Sequence, residues 1–132
     1  MLKKNNPGPP VPDGDIEEII ERKNTIKLND VANILGAYYA SGKDKEKLSS
    51  AQIRNILDKI QRMKKYDRDQ IQLLRPLLAY AAGKDKTPDK KLKHLQMILE
   101  KCIMRVNDET KFENLRYFFE AIVAYHRYHG GK

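Results

Sequence analysis

Phe112, Leu115, Phe119, Ile122 and His126 follow one another at alternating steps of three and four residues. A strand repeats every second residue, so this rhythm lines one face of an α-helix. The same rhythm returns through the chain. Ile16, Ile19 and Ile20, then Leu28, Val31, Ile34 and Leu35, give a helical region over residues 15–39, which Thr25 and Asn29 divide in two. Ile53, Ile56, Leu57, Ile60 and Met63 form a stripe after Ser49, and Ser49 with Gln52 has capping-box spacing. Ile71, Leu74, Leu77, Leu78 and Ala81 face a core over residues 67–83, with Pro76 expected to kink that helix. Thr87-Pro88-Asp89 reads as the start of a fourth region reaching residue 106, with Thr87 as cap. Thr110 and Glu113 read as a second capping box opening the last helix, which stops at Gly130 and Gly131. No segment shows strand alternation. The expected fold class is all-α, a compact bundle of five or six helices.

At 132 residues one domain is expected, spanning residues 15–132. Residues 1–14, rich in Pro, Gly and Asn, read as an extended, mobile tail. No apolar run is long enough to span a membrane, and the first residues lack the apolar stretch of a signal peptide, so a cytoplasmic location is expected. Cys102 is the single cysteine, which excludes an internal disulfide; an inert buried thiol is the favoured reading.

The formal charge is +8, and its distribution is uneven. Residues 1–40 hold 5 basic and 6 acidic side chains, residues 41–91 hold 14 and 7, and residues 92–132 hold 7 and 5. The positive field of the middle third attracts polyanions, whether nucleic acid, an anionic membrane or an acidic protein; an inert solvated face is the alternative.

Arg54, Asp58, Arg62 and Lys65 fall along one side of the second stripe, flanked by Lys59 and Lys64. At about 100° per residue, Arg54 and Lys65 lie only about 20° apart if the helix continues that far. Such a strip suits a sugar-phosphate backbone, each cation neutralising one phosphate; a local Asp58–Arg62 pair on a solvated face is the alternative. Arg75, Lys84, Lys86, Lys90 and Lys91 form a second basic group, diluted by Asp85 and Asp89, and Gly83-Lys84-Asp85-Lys86 lacks the spacing of a phosphate loop.

Enzymatic chemistry finds no residue set. His126 and His129 lie three apart without a third metal ligand, so no metal and no cofactor is expected. Glu120 has no acid/base partner, and Ser41, Ser49 and Ser50 sit in loops or caps. Among the tyrosines, Tyr80 and Tyr125 read as bundle-edge residues, and Tyr128 is the one expected to reach a ligand.

Three segments carry a family resemblance: SAQIRNILDKI (residues 50–60), LRPLLAYAAGK (residues 74–84) with Pro76, Tyr80, Ala81 and Gly83, and FFEAIVAYHRYHGG (residues 118–131). In order and spacing they resemble the small helical subunit of type III-A CRISPR–Cas Csm effector complexes, whose members typically end in an EAIVAYHKY-like sequence. Lys84 stands where the family often has Arg, keeping the charge but not the planar fork.

That resemblance implies a non-catalytic RNA-binding scaffold for antiviral defence. Several copies would stack into a filament beside the backbone subunits, lining the groove that holds the guide and target RNA. Target RNA cleavage would belong to the backbone subunit, and DNA cleavage and signalling-nucleotide synthesis to the large subunit. The expected partners are guide RNA, target RNA, the other Csm subunits and further copies of this chain. Guide and target pair with each other, so the protein needs backbone contacts only. The residues expected to contact phosphates are Arg54, Lys64, Lys65, Arg75, Lys84 and Arg127, with Arg54, Lys84 and Arg127 foremost because they combine the basic groups with the family segments. Tyr80, Pro76 and Phe119 are assigned to the core. The competing readings are a helical DNA-binding regulator and a protein-interaction module docking on an acidic partner.

Overall fold

The computed structural model describes residues 8–131. Among these, six helices follow in order: α1 (Asp13–Ile20), α2 (Thr25–Tyr39), α3 (Ser50–Gln61), α4 (Arg68–Gly83), α5 (Lys91–Ile103) and α6 (Glu109–Tyr128), with a short 3-10 turn at Asp44–Glu46. The all-α expectation holds, and the break between α1 and α2 falls where Asn24 caps α2 by accepting a hydrogen bond from the Lys27 N–H at 3.0 Å.

α6 is the central helix. Its most extensive partner is α2, and it also packs against α1 and α3, while α4 lies on α5. Phe112, Leu115, Phe118, Phe119 and Ile122 of α6 are fully buried among Ile16, Ile19, Leu35, Tyr39 and Ile53. α2 and α6 approach closely because Gly36 has no side chain: a Cβ there would stand 2.6 Å from the His126 backbone nitrogen. Asn114, buried on α6, donates to the Ile20 carbonyl at 2.8 Å and so satisfies the free end of α1.

The segment between α2 and α3 is held by two side chains from elsewhere, Lys91 and His126, and by its own Lys47. The buried Lys91 ammonium donates to the Ser41 and Glu46 carbonyls at 2.9 and 2.8 Å. His126 donates through Nε2 to the Leu48 carbonyl at 2.8 Å, and Lys47 reaches the Gly130 carbonyl at 3.3 Å. Gly130 takes a positive φ of 98°, which lets Gly131 turn back onto the His126 ring, where a Cβ would collide with it.

Several local expectations give way. The capping box at Ser49–Gln52 forms, but α6 opens at Asp108, whose carboxylate accepts from the Lys111 N–H at 2.8 Å, rather than at Thr110. Aspartate is the stronger cap of the two. α5 starts at Lys91, not at Thr87. Lys90 takes a left-handed φ of 54°, and the buried Asp85 accepts from the Thr87 N–H at 2.9 Å and the Leu92 N–H at 2.7 Å. Pro76 does not divide α4, since it lies on the exposed side where its missing donor leaves a carbonyl open to water. The core assignment of Pro76 and Tyr80 fails, Tyr80 being 69% exposed, and Leu77 and Ile34 are also largely exposed. Phe119 is buried as expected. Of the tail expected over residues 1–14, residues 1–7 lie outside the described residues. Beyond them Val11 is buried in the core, the Pro9 carbonyl accepts from His94 Nε2 at 2.9 Å, and α1 begins at Asp13.

Candidate nucleic-acid interface

The folded chain sorts its cations into two populations. In the first, each guanidinium or ammonium meets a carboxylate. Arg22 lies 3.0 Å from Glu17 and 3.2 Å from Glu18, Lys27 lies 3.4 Å from Asp15, and Lys101 lies 3.4 Å from Asp13. Arg105 pairs with Glu21 at 2.5 Å, and Lys111 with Asp108 at 3.8 Å. The acidic α1 thereby neutralises much of the charge on the surfaces around it.

In the second, Arg54, Lys59, Arg62, Lys64 and Lys65 make no ion pair or hydrogen bond with any described residue. The local Asp58–Arg62 pair is not formed. Their exposure follows from α3's sequence: Ile53, Ile56, Leu57 and Ile60 are buried, which turns Arg54 and Asp58 outward. α3 ends at Gln61, with Arg62 at its C-cap, so Lys64 and Lys65 lie in the turn before α4. The expected helical strip therefore reaches Arg62 but not Lys65, and the close azimuth of Arg54 and Lys65 does not apply.

Arg54 and Arg127 come together. They line one cleft of about 330 Å³ between α3 and the end of α6, whose wall includes the buried His126 ring. Two guanidiniums with no carboxylate partner at one cleft concentrate positive charge there. Beside it, the Glu120 carboxylate accepts from the Gln61 amide, tying α6 to the end of α3.

The other expected residues are distributed elsewhere. Arg75 is engaged by Glu100 of α5, which accepts from Nε at 3.1 Å and from Nη2 at 2.6 Å, while Nη1 donates to Gln72 at 3.0 Å. These bonds and the Glu100 charge raise its affinity for its proton and commit it to the α4–α5 contact. Lys84 is exposed at the C-cap of α4, its ammonium 5.0 Å from the Tyr80 ring centre. Of its sequence neighbours, Lys91 is buried and Lys90 donates to the Asp85 carbonyl at 3.2 Å, so neither faces outward as a free cation. Tyr128 is 76% exposed, whereas Tyr38 is buried and Tyr125 reaches Asn29 at 3.3 Å. The exposed Tyr80 beside Lys84 was hidden by a periodicity that places it near the core edge, and Lys59 by its apparent role as a mere flank.

The histidines serve structure. Burial holds His126 and His94 below the ordinary imidazole value. His94 accepts from the Tyr39 hydroxyl at 2.7 Å, and that phenol is raised well above its usual value by burial. Cys102 is buried and its thiol is pushed up to about 12, consistent with an inert core residue. Among the described residues no cluster of three His, Cys, Asp or Glu side chains could hold a metal ion, and no helix is long and apolar enough to cross a membrane.

A family model described as Csm2 Type III-A matches residues 22–132. It begins at Arg22, so α2 and the stapled loop after it belong to the match, although the three sequence segments start only at residue 50. No curated protein and no solved structure matches the chain. With all of α2 to α6 inside the matched region, the chain belongs to the Csm2 family and is a subunit of a type III-A CRISPR–Cas Csm complex.

Proposed function

We propose that this subunit is a non-catalytic RNA-binding scaffold, which holds the guide–target RNA backbone on α3 and the end of α6. The observation that carries the reading is the pairing of Arg54 with Arg127 at one cleft, next to a helix whose remaining cations have no carboxylate partner. Its contacts need only count phosphates, since guide and target read each other by base pairing. Lys59, Arg62, Lys64 and Lys65 extend the same field, whereas Arg75 is withdrawn from it by Glu100. Association with guide RNA, target RNA, the backbone and large subunits and further copies of itself in the cytoplasm rests on the family.

The test is RNA binding by the full chain, alone and within the reconstituted complex, titrated at several salt concentrations against single-stranded RNA, RNA duplex and matched DNA. Arg54→Glu with Arg127→Glu is expected to weaken binding to every sequence alike and to lower the salt slope by about two units, one per phosphate contact. Unchanged affinity and slope would refute the site. Tight, sequence-selective binding of duplex DNA would instead support a helical regulator.

A further inference from the structure

α3 and α4 scarcely touch, and a cleft of about 410 Å³ opens between them over α5. Its floor is apolar, made by Ile56, Leu78 and Leu92, all buried against the core. The α3 wall carries Asn55 and Lys59, one helical turn apart, and neither side chain has a partner among the described residues. On the α4 side stands Tyr80, 69% exposed, with the Lys84 ammonium 5.0 Å from its ring centre.

Three needs meet here. An apolar floor with an open aromatic ring suits a flat π-face, and base–aromatic stacking tolerates any base. An unpartnered amide suits the polar edge of such a ring. Two ammoniums on opposite walls suit a phosphate. A free phosphate would leave the floor unused. An acidic peptide would use the ammoniums but not the compact shape, which has the size of a small-molecule site. A nucleotide uses all of them.

We propose that this cleft receives one unpaired nucleotide of the bound RNA, its base stacked on Tyr80 and its phosphate between Lys59 and Lys84. The proposal rests on the RNA-scaffold reading and adds to it a base contact without sequence preference, in a cleft that shares no lining residue with the Arg54–Arg127 cleft. Single-stranded stretches of guide or target would then bind more tightly than fully paired ones.

The experiment compares a short single-stranded RNA with the same strand lacking its bases, titrated against the full chain, Tyr80→Ala, Tyr80→Phe and Arg54→Glu. Removing the bases is expected to weaken wild-type binding at least about fivefold. Tyr80→Ala should weaken the intact strand by a similar factor, leave the baseless strand and the salt slope unchanged, and make the two strands bind alike. Tyr80→Phe should bind as wild type. Tyr80 is exposed, so an unchanged thermal midpoint is expected for both variants. If Tyr80→Ala binds the intact strand as wild type while Arg54→Glu weakens it, the nucleotide site is wrong and the scaffold reading stands. If wild type binds neither strand, alone or in the complex, both fail. If Tyr80→Ala releases an acidic protein partner with RNA binding intact, the cleft belongs to that partner and the proposal falls.

Discussion

α6 and α4 are amphipathic helices of similar length, yet their surroundings treat them differently. α6 is enclosed by α1, α2 and α3, and its apolar residues Phe112, Leu115, Phe118, Phe119 and Ile122 are fully buried. α4 packs chiefly on α5, leaving Leu73, Leu77 and Tyr80 exposed beside the unneutralised cations of α3. Stability is therefore concentrated around α6, and the surface available for recognition around α3 and α4. A helix with neighbours on several sides has its apolar surface consumed by folding. A helix with one main neighbour retains apolar and charged surface for something else.

The contrast is most easily broken by truncating side chains. Phe119→Ala should destabilise the fold by about 3–5 kcal/mol, whereas Leu73→Ala should stay within about 0.5 kcal/mol, both read from urea unfolding. Equal losses would mean that α4 is covered in the folded monomer. Two of the helical glycines, Gly36 and Gly83, sharpen the same comparison. Gly36→Ala drives a methyl into the α6 backbone and should lose about 1–3 kcal/mol, while Gly83→Ala meets nothing within 4 Å and should gain up to about 1 kcal/mol.

Charge should divide along the same line. Arg75→Ala is expected to lower the thermal midpoint and leave the salt slope of RNA binding unchanged, because Glu100 already neutralises it. Arg54→Ala should do the reverse, lowering the slope by about one unit with little change in midpoint. The smallest effect is one of pH. His94 and His126 are neutral when folded, held down first by burial, with Lys47 and Arg127 adding to the depression at His126. The unfolded chain takes up these protons near about pH 6.5 and the folded chain only at lower pH, so stability falls as pH drops below about 6.5. Unfolding midpoints measured in steps from pH 7.5 downward should show that decline, and His126→Gln, which keeps a donor for the Leu48 carbonyl, should flatten part of it.

Much of this was legible in the residues. The three-and-four rhythm foretold the helices, and the Ser49–Gln52 box marked the start of α3. Caps were less legible where two candidates lay close together, as with Asp108 and Thr110, or where the capping carboxylate reached seven residues forward, as Asp85 does to Leu92. The candidate site was half legible: Arg54 and Arg127 were readable as cations, but not their meeting across 73 positions. Arg75 and Lys91 looked equally free in the sequence.

By itself the sequence determined the helical class, most of the buried positions and the family, because periodicity and family segments are carried by residues near one another along the chain. Tertiary structure alone decided which cations stay free, which carbonyls Lys91 and His126 hold, and that Tyr80 faces solvent. Those outcomes depend on partners brought together from distant positions, as when Arg105 meets Glu21 across 84 residues, and on which neighbour each helix acquires.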